Sequence, residues 1–177
     1  MFHDTLVPFA ERRFITKGKK ATKAADNMYC RARYEASEAD DTFSSREKAS
    51  EVLNIDRTRL ANIELGNILP YPEEVLAMSK CYKTPELCNS HCSEQCPNGI
   101  HTVPKVVIDD FDRLSLKVLG SIKDIDHIRT SLIAISEDGR VNPDEREDFK
   151  NILDSLEKIS TNAAALKIWA EKNVKFD

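Results

Sequence analysis

The spacing of apolar residues divides the chain into three stretches. From 105 to 177 the apolar positions recur every three or four. Leu114, Val118, Ile122, Ile125, Leu132 and Ile135 make one stripe, and Phe149, Ile152, Leu153, Leu156, Ile159, Ala163 and Leu166 make a second. That period belongs to amphipathic helices. Glu137-Asp138-Gly139-Arg140 reads as the turn between them, and Pro143 suits the start of the second helix. The expectation is a hairpin of two antiparallel helices, each of about 25 to 30 residues. Two helices enclose their apolar stripes poorly, so residues 105–177 are expected to pair with a second copy as a four-helix bundle. Folding back onto the N-terminal part is the alternative.

Residues 26–100 read as shorter helices with clear punctuation. Asp26 is placed to cap a first helix ending near Ala39, and Asp40, Asp41 and Thr42 break it. Ser44 or Ser45 is placed to cap Arg46–Leu53, with Glu47 and Lys48 in its first turn and Ala49, Val52 and Leu53 on its apolar side. Asn54-Ile55 forms a tight turn, Asp56 caps a helix from Arg57 to Leu65, and Gly66 supplies the left-handed residue that ends it. Leu60, Ala61 and Ile63 give that helix its apolar side. Pro72, Glu73 and Glu74 favour the start of a helix to Tyr82, which carries Val75, Leu76, Ala77 and Met78. A further helix spans Pro85 to Gln95, ended by Pro97 and Gly99.

Two short helices about a turn, with small Ala49 and Ser50 at the crossing, form a helix-turn-helix. Its second helix points Arg57, Thr58, Arg59 and Asn62 outward near its N-terminal end. A recognition helix presents that end to base edges. Arginine pairs with guanine and asparagine with adenine, so Arg57, Arg59 and Asn62 are candidate base contacts. Arg46, Lys48 and Thr58 are candidate phosphate contacts.

On Ser45, Ile55, Ile63, Glu64 and Gly66, residues 27–82 resemble the Cro/lambda-repressor (XRE) helix-turn-helix family. Three positions depart from the family pattern: Arg46 replaces a usual Gln, Ser50 a usual Ala and Asn54 a usual Gly. The stretch through the cysteines also resembles uncharacterised regulators of clostridial-type bacteria and their mobile elements. The resemblance implies an all-α protein in which a five-helix lambda-repressor-like domain precedes the helical hairpin. It also implies binding to double-stranded DNA, usually as a dimer. Glu64 is expected to hold the recognition helix in place rather than touch DNA.

Charge refines this picture. The net charge is -4, which taken alone opposes DNA binding. Between 12 and 34, however, eight Lys or Arg residues face a single acid, Asp26, whereas residues 81–177 hold 13 basic and 17 acidic residues. DNA binding requires a basic face rather than a basic total. Residues 1–25 read as a basic arm that tracks phosphates, or as a solubilising tail. A helix-turn-helix-shaped protein-interaction adaptor without DNA readout is the alternative function.

The chain has 177 residues, 41% hydrophobic and 32% charged, with 5 Gly and 7 Pro, and that composition favours helix. No apolar run approaches the roughly 20 residues that span a membrane. A cytoplasmic protein with reduced cysteines is expected. Cys88, Cys92 and Cys96 recur every four residues, with His91 among them. Thiolates plus imidazole make a candidate zinc set, and hence a metal- or redox-responsive regulator, with plain core packing as the alternative. Cys30 and Cys81 fall on apolar helix faces. Residues 134–145 resemble a calcium loop, but Ala134 and Ser136 occupy positions that need carboxylates, so calcium is rejected. No catalytic motif is present: the chain lacks a phosphate-cradling glycine loop, a paired-histidine metal motif and a nucleophile elbow.

Overall fold

The computed structural model describes residues 23–175. The basic arm expected at 1–25 lies almost wholly outside them. The described residues form helices and no strand: a 3₁₀ turn at Lys23–Asp26, then α1 (Met28–Ala39), a second 3₁₀ turn at Asp41–Ser44, α2 (Arg46–Leu53), α3 (Arg57–Glu64), α4 (Pro72–Cys81), α5 (Glu86–Glu94), α6 (Gly99–Thr102), α7 (Phe111–Ile122), α8 (Ile125–Ser136) and α9 (Arg146–Asn173). None of these helices is long and apolar enough to cross a membrane.

Helices α1 to α5 share one apolar cluster, built on Tyr29, Ala32, Phe43, Ala49, Leu53, Ile55, Leu60, Ile63, Val75, Met78, Tyr82 and Leu87. Local chemistry sets most of the boundaries. Ser45 Oγ accepts the N–H of Lys48 and Asp56 Oδ1 that of Arg59, so both helices of the central pair have a satisfied first turn. Asn54 (φ 52°) and Gly66 (φ 74°) take the left-handed conformation at the two helix ends. Ala49 is fully buried at the crossing of α2 with its neighbours.

The structure corrects several expectations. Asn27, not Asp26, caps α1, accepting from the N–H groups of Tyr29 and Cys30; Asp26 belongs to the preceding 3₁₀ turn. The break at 40–42 is itself ordered: Asp40 caps the second 3₁₀ turn and thereby buries Phe43. Position N3 of α2 is Lys48, so no acid completes a capping box there. Val52 and Leu76 face solvent, because α2 and α4 each bury only a narrow stripe. Helix α5 ends at Glu94, and Gly99 opens α6 rather than closing α5.

The largest correction concerns 105–177. Residues 111–136 are not one long helix but two, α7 and α8, interrupted at Lys123-Asp124. Each packs on a different half of α9. Leu114 of α7 meets Ala165 and Trp169 near the end of α9, together with Val106 from the extended segment before α7. Ile128 and Ile135 of α8 meet Ile152 and Phe149 near its start. The apolar period runs straight through the interruption, so periodicity could not reveal it. The turn at 137–140 has Gly139 at φ 71°, and Asp138 accepts from Arg140 N and Asn142 Nδ2. Helix α9 begins at Arg146, three residues after Pro143.

Gly99 is required by close approach. A Cβ there would stand 2.1 Å from the carbonyl oxygen of Cys92, a backbone atom of α5 that cannot rotate away. Gly99→Ala is expected to push α6 off α5 and cost about 1–3 kcal/mol, read as a lower urea midpoint with an unchanged slope. An unchanged midpoint would mean that α6 does not pack where it stands.

Candidate nucleic-acid interface

The second helix of the pair, α3, is fixed from beneath by its own last residue. Glu64 is 0% exposed. Arg33 of α1 grips it with two bonds, Nε to Oε1 at 2.6 Å and Nη2 to Oε2 at 3.1 Å. Arg33 is itself buried, and its Nη1 donates to the carbonyl of Phe43 at 2.8 Å. Burial works against the guanidinium charge, but the Glu64 bonds outweigh it and raise the pKa of Arg33. Arg46 of α2 completes the set, Nε to Glu64 Oε2 at 2.6 Å, and is one-third exposed. One carboxylate thus joins α1, α2 and α3. Cys30 beside it is pushed up to about 11, by burial first and then by the Glu64 charge.

Above this pair lies an open cleft of about 420 Å³ between the N-terminal ends of α2 and α3. It is lined by Arg46, Arg57 and Thr58, with Tyr34, Ser44 and Ser45 around them. The guanidinium groups of Arg46 and Arg57, together with that of the buried Arg33, and four hydroxyls line it, a set suited to a phosphate oxygen. Glu47 lines the same cleft and Asp56 caps α3 beside it, so the cleft is not uniformly basic.

The candidate residues thus fall into groups. Arg46, Arg57 and Thr58 come together, although Arg46 is shared with Glu64. Lys48 is exposed on α2 and paired with Asp41 at 2.6 Å, a surface bond that water and salt weaken. Asn62 is half-buried and accepts from Asn67 Nδ2 at 3.0 Å. Arg59 departs most from expectation. It turns away from the outward face and makes two bonds to Glu74 of α4, at 2.5 and 2.8 Å, while its guanidinium lies 4.1 Å from the centre of the Tyr71 ring. The pairing raises the pKa of Arg59 and lowers that of Glu74. In the chain alone Arg59 thus fastens α3 to α4, and a contact with a base would have to break that pairing. Sequence reasoning missed Tyr34, Ser44 and Arg33. The only signal for Arg33 was a basic residue on the inner face of the first helix.

The cysteine segment does not form the tetrahedral zinc set that its spacing suggested. Among the described residues no group of three or more His, Cys, Asp or Glu could hold a metal ion. Two features separate the set: Cys96 lies beyond the end of α5, and His91 faces the core instead of the cysteines. His91 turns inward, 7% exposed, and its Nδ1 shares a 2.7 Å hydrogen bond with Tyr29 Oη.

No protein-family model, no curated protein and no solved structure matches this chain.

Two tests follow from the buried groups. Arg33→Ala leaves Glu64 buried with only the one-third-exposed Arg46 as partner and is expected to cost about 3–5 kcal/mol. Arg46→Ala, which leaves the two-bond pair intact, is expected to cost clearly less; equal losses in denaturant titrations would contradict this ranking. The second test uses pH. Burial lowers the pKa of His91 below its ordinary value near 6.5. Below that value the unfolded chain takes up a proton that the folded chain resists, so stability falls as pH drops through about 6.5. The melting temperature is expected to decline between pH 7.5 and 5.5, and His91→Gln is expected to flatten that decline. An equally steep decline in the variant would assign it elsewhere.

Proposed function

We propose that this protein is a sequence-specific DNA-binding regulator that acts as a homodimer. The observation that carries the reading is the convergence of Arg46, Arg57, Thr58 and two serines at the paired N-terminal ends of a helix-turn-helix, with the second helix braced through Glu64. A braced helix holds its exposed end in one orientation, which major-groove readout requires. Arg57 and Thr58 are the exposed groups at that end, and Asn62 follows one turn later. The resemblance of residues 27–82 to the Cro/lambda-repressor family supports the same reading. On it, Arg57 and Asn62 reach bases, while Arg46, Lys48 and Thr58 reach phosphates.

The dimer part rests on the C-terminal helices. Leu116, Leu119, Ile133, Leu153 and Leu156 are all exposed, so α7, α8 and α9 bury only one of their apolar faces. A second copy would cover the other and set two recognition helices about one DNA turn apart, roughly 34 Å.

Selection from a pool of random duplex DNA at two salt concentrations tests both parts. The expected result is an enriched, two-fold symmetric site whose binding weakens steeply with salt. Arg57→Ala is expected to weaken that site by about 1–3 kcal/mol and relax selection at one base pair. Salt-sensitive binding without enrichment would remove sequence specificity. An enriched site without two-fold symmetry would remove the dimer. No binding at either salt would favour the protein-interaction adaptor.

A further inference from the structure

The thiols of the α5 region lie away from the cleft and take no part in the reading above. Cys88, Cys92 and Cys96 are all free and half-buried. Cys88 and Cys92 lie one turn apart on α5, the spacing at which helix neighbours stand about 5–6 Å apart at Cβ. Cys96 lies just past the helix, but its backbone N–H donates to the carbonyl of His91 at 3.1 Å. That bond folds the chain back over the last turn of α5. Gly99 then passes so close to the Cys92 carbonyl that no side chain fits between them. Cys92 therefore follows Cys88 by one helical turn and precedes the folded-back Cys96 by four residues.

The surroundings say what such a set can bind. Cys88 and Cys92 share α5 one turn apart, and neither is in a disulfide. Four-coordinate binding needs convergence that these residues lack, whereas two-coordinate binding needs only one pair. Thiolates in pairs favour soft ions.

We propose that Cys92, together with Cys88 or Cys96, binds a soft ion of the copper(I) class through two thiolates. Two S–H bonds break and two Cu–S bonds form. Both protons pass to solvent, the copper stays monovalent, and the bound unit carries one negative charge. The site would lie on the helix that joins the two halves of the molecule: Asn89, between Cys88 and Cys92, holds the segment before α7, donating to Pro104 O and accepting from Val106 N.

The test uses the reduced full chain, dialysed against copper(I) buffered by excess glutathione so that an isolated thiol cannot compete. Copper per chain is then measured by native mass spectrometry. One ion per chain is expected. Cys92→Ser should lose it, and so should one of Cys88→Ser and Cys96→Ser, while Cys30→Ser and Cys81→Ser keep it. Alkylation mapping of the unmutated protein guards against variants that fail to fold: copper(I) should protect Cys92 and one neighbour. No retained copper, retention unchanged in Cys92→Ser, or Cys92 alkylated equally with and without copper would overturn the proposal.

Discussion

A carboxylate buried without water must be met by charge, and Glu64 makes that demand at the centre of the N-terminal half. Leaving it unpaired would cost several kcal/mol, a large part of the stability of a small domain. Arg33 answers from α1 and Arg46 from α2. Apolar packing alone tolerates small slides of one helix over another, whereas a two-bond guanidinium pair fixes both distance and direction. The position of α3 against α1 and α2 is therefore set by the ion pair, and the apolar side chains Leu60 and Ile63 fill the space it leaves. Because Arg33 also holds the carbonyl of Phe43, the same residue fixes the 3₁₀ turn leading into α2. The cleft above, with Arg57 and Thr58 on its rim, inherits its shape from this pair.

Arg59 shows the same logic on the other side of α3. Its bonds to Glu74 and its stacking on Tyr71 tie the helix to α4, so one short helix is held from both sides by arginine. That leaves fewer free cations for DNA than a sequence count suggests. A proposed interface built on Arg57, Thr58 and the outer part of Arg46 must gain specificity from rigid placement rather than from charge density. This is compatible with an acidic chain, provided that the acids Glu47 and Asp56 stand clear of the phosphates.

What the sequence made legible follows from range. Ser45, Asn54, Asp56, Gly66 and Pro72 act on their own backbone within a few residues, and each boundary they mark in α2, α3 and α4 falls within one residue of where the structure has it. The partners of Glu64 and Glu74 lie 31 and 15 residues away. Nothing local in either arginine distinguishes a buried brace from an exposed hand. The break at Lys123-Asp124 was hidden for a related reason. Its cause is that α7 and α8 each pack on a different part of α9, a choice made by tertiary contact, while the apolar spacing on either side stays in phase. For the cysteines, a regular spacing was visible but the inward turn of His91 was not.

The two halves of the molecule meet at α5. Its inner face sends Leu87 and His91 into the N-terminal core. Asn89 grips the extended segment that carries Val106 into the C-terminal cluster. At its start Glu86 Oε1 accepts from Lys172, near the end of α9, at 2.5 Å, while Oε2 lies buried without a partner. These contacts fix one short helix from opposite sides. In the dimer proposed above, the C-terminal helices would set the distance between the two copies, and α5 would carry that distance to each α3. A displacement of α5 would then act on DNA binding by changing the spacing of the recognition helices rather than by touching any residue that reads a base.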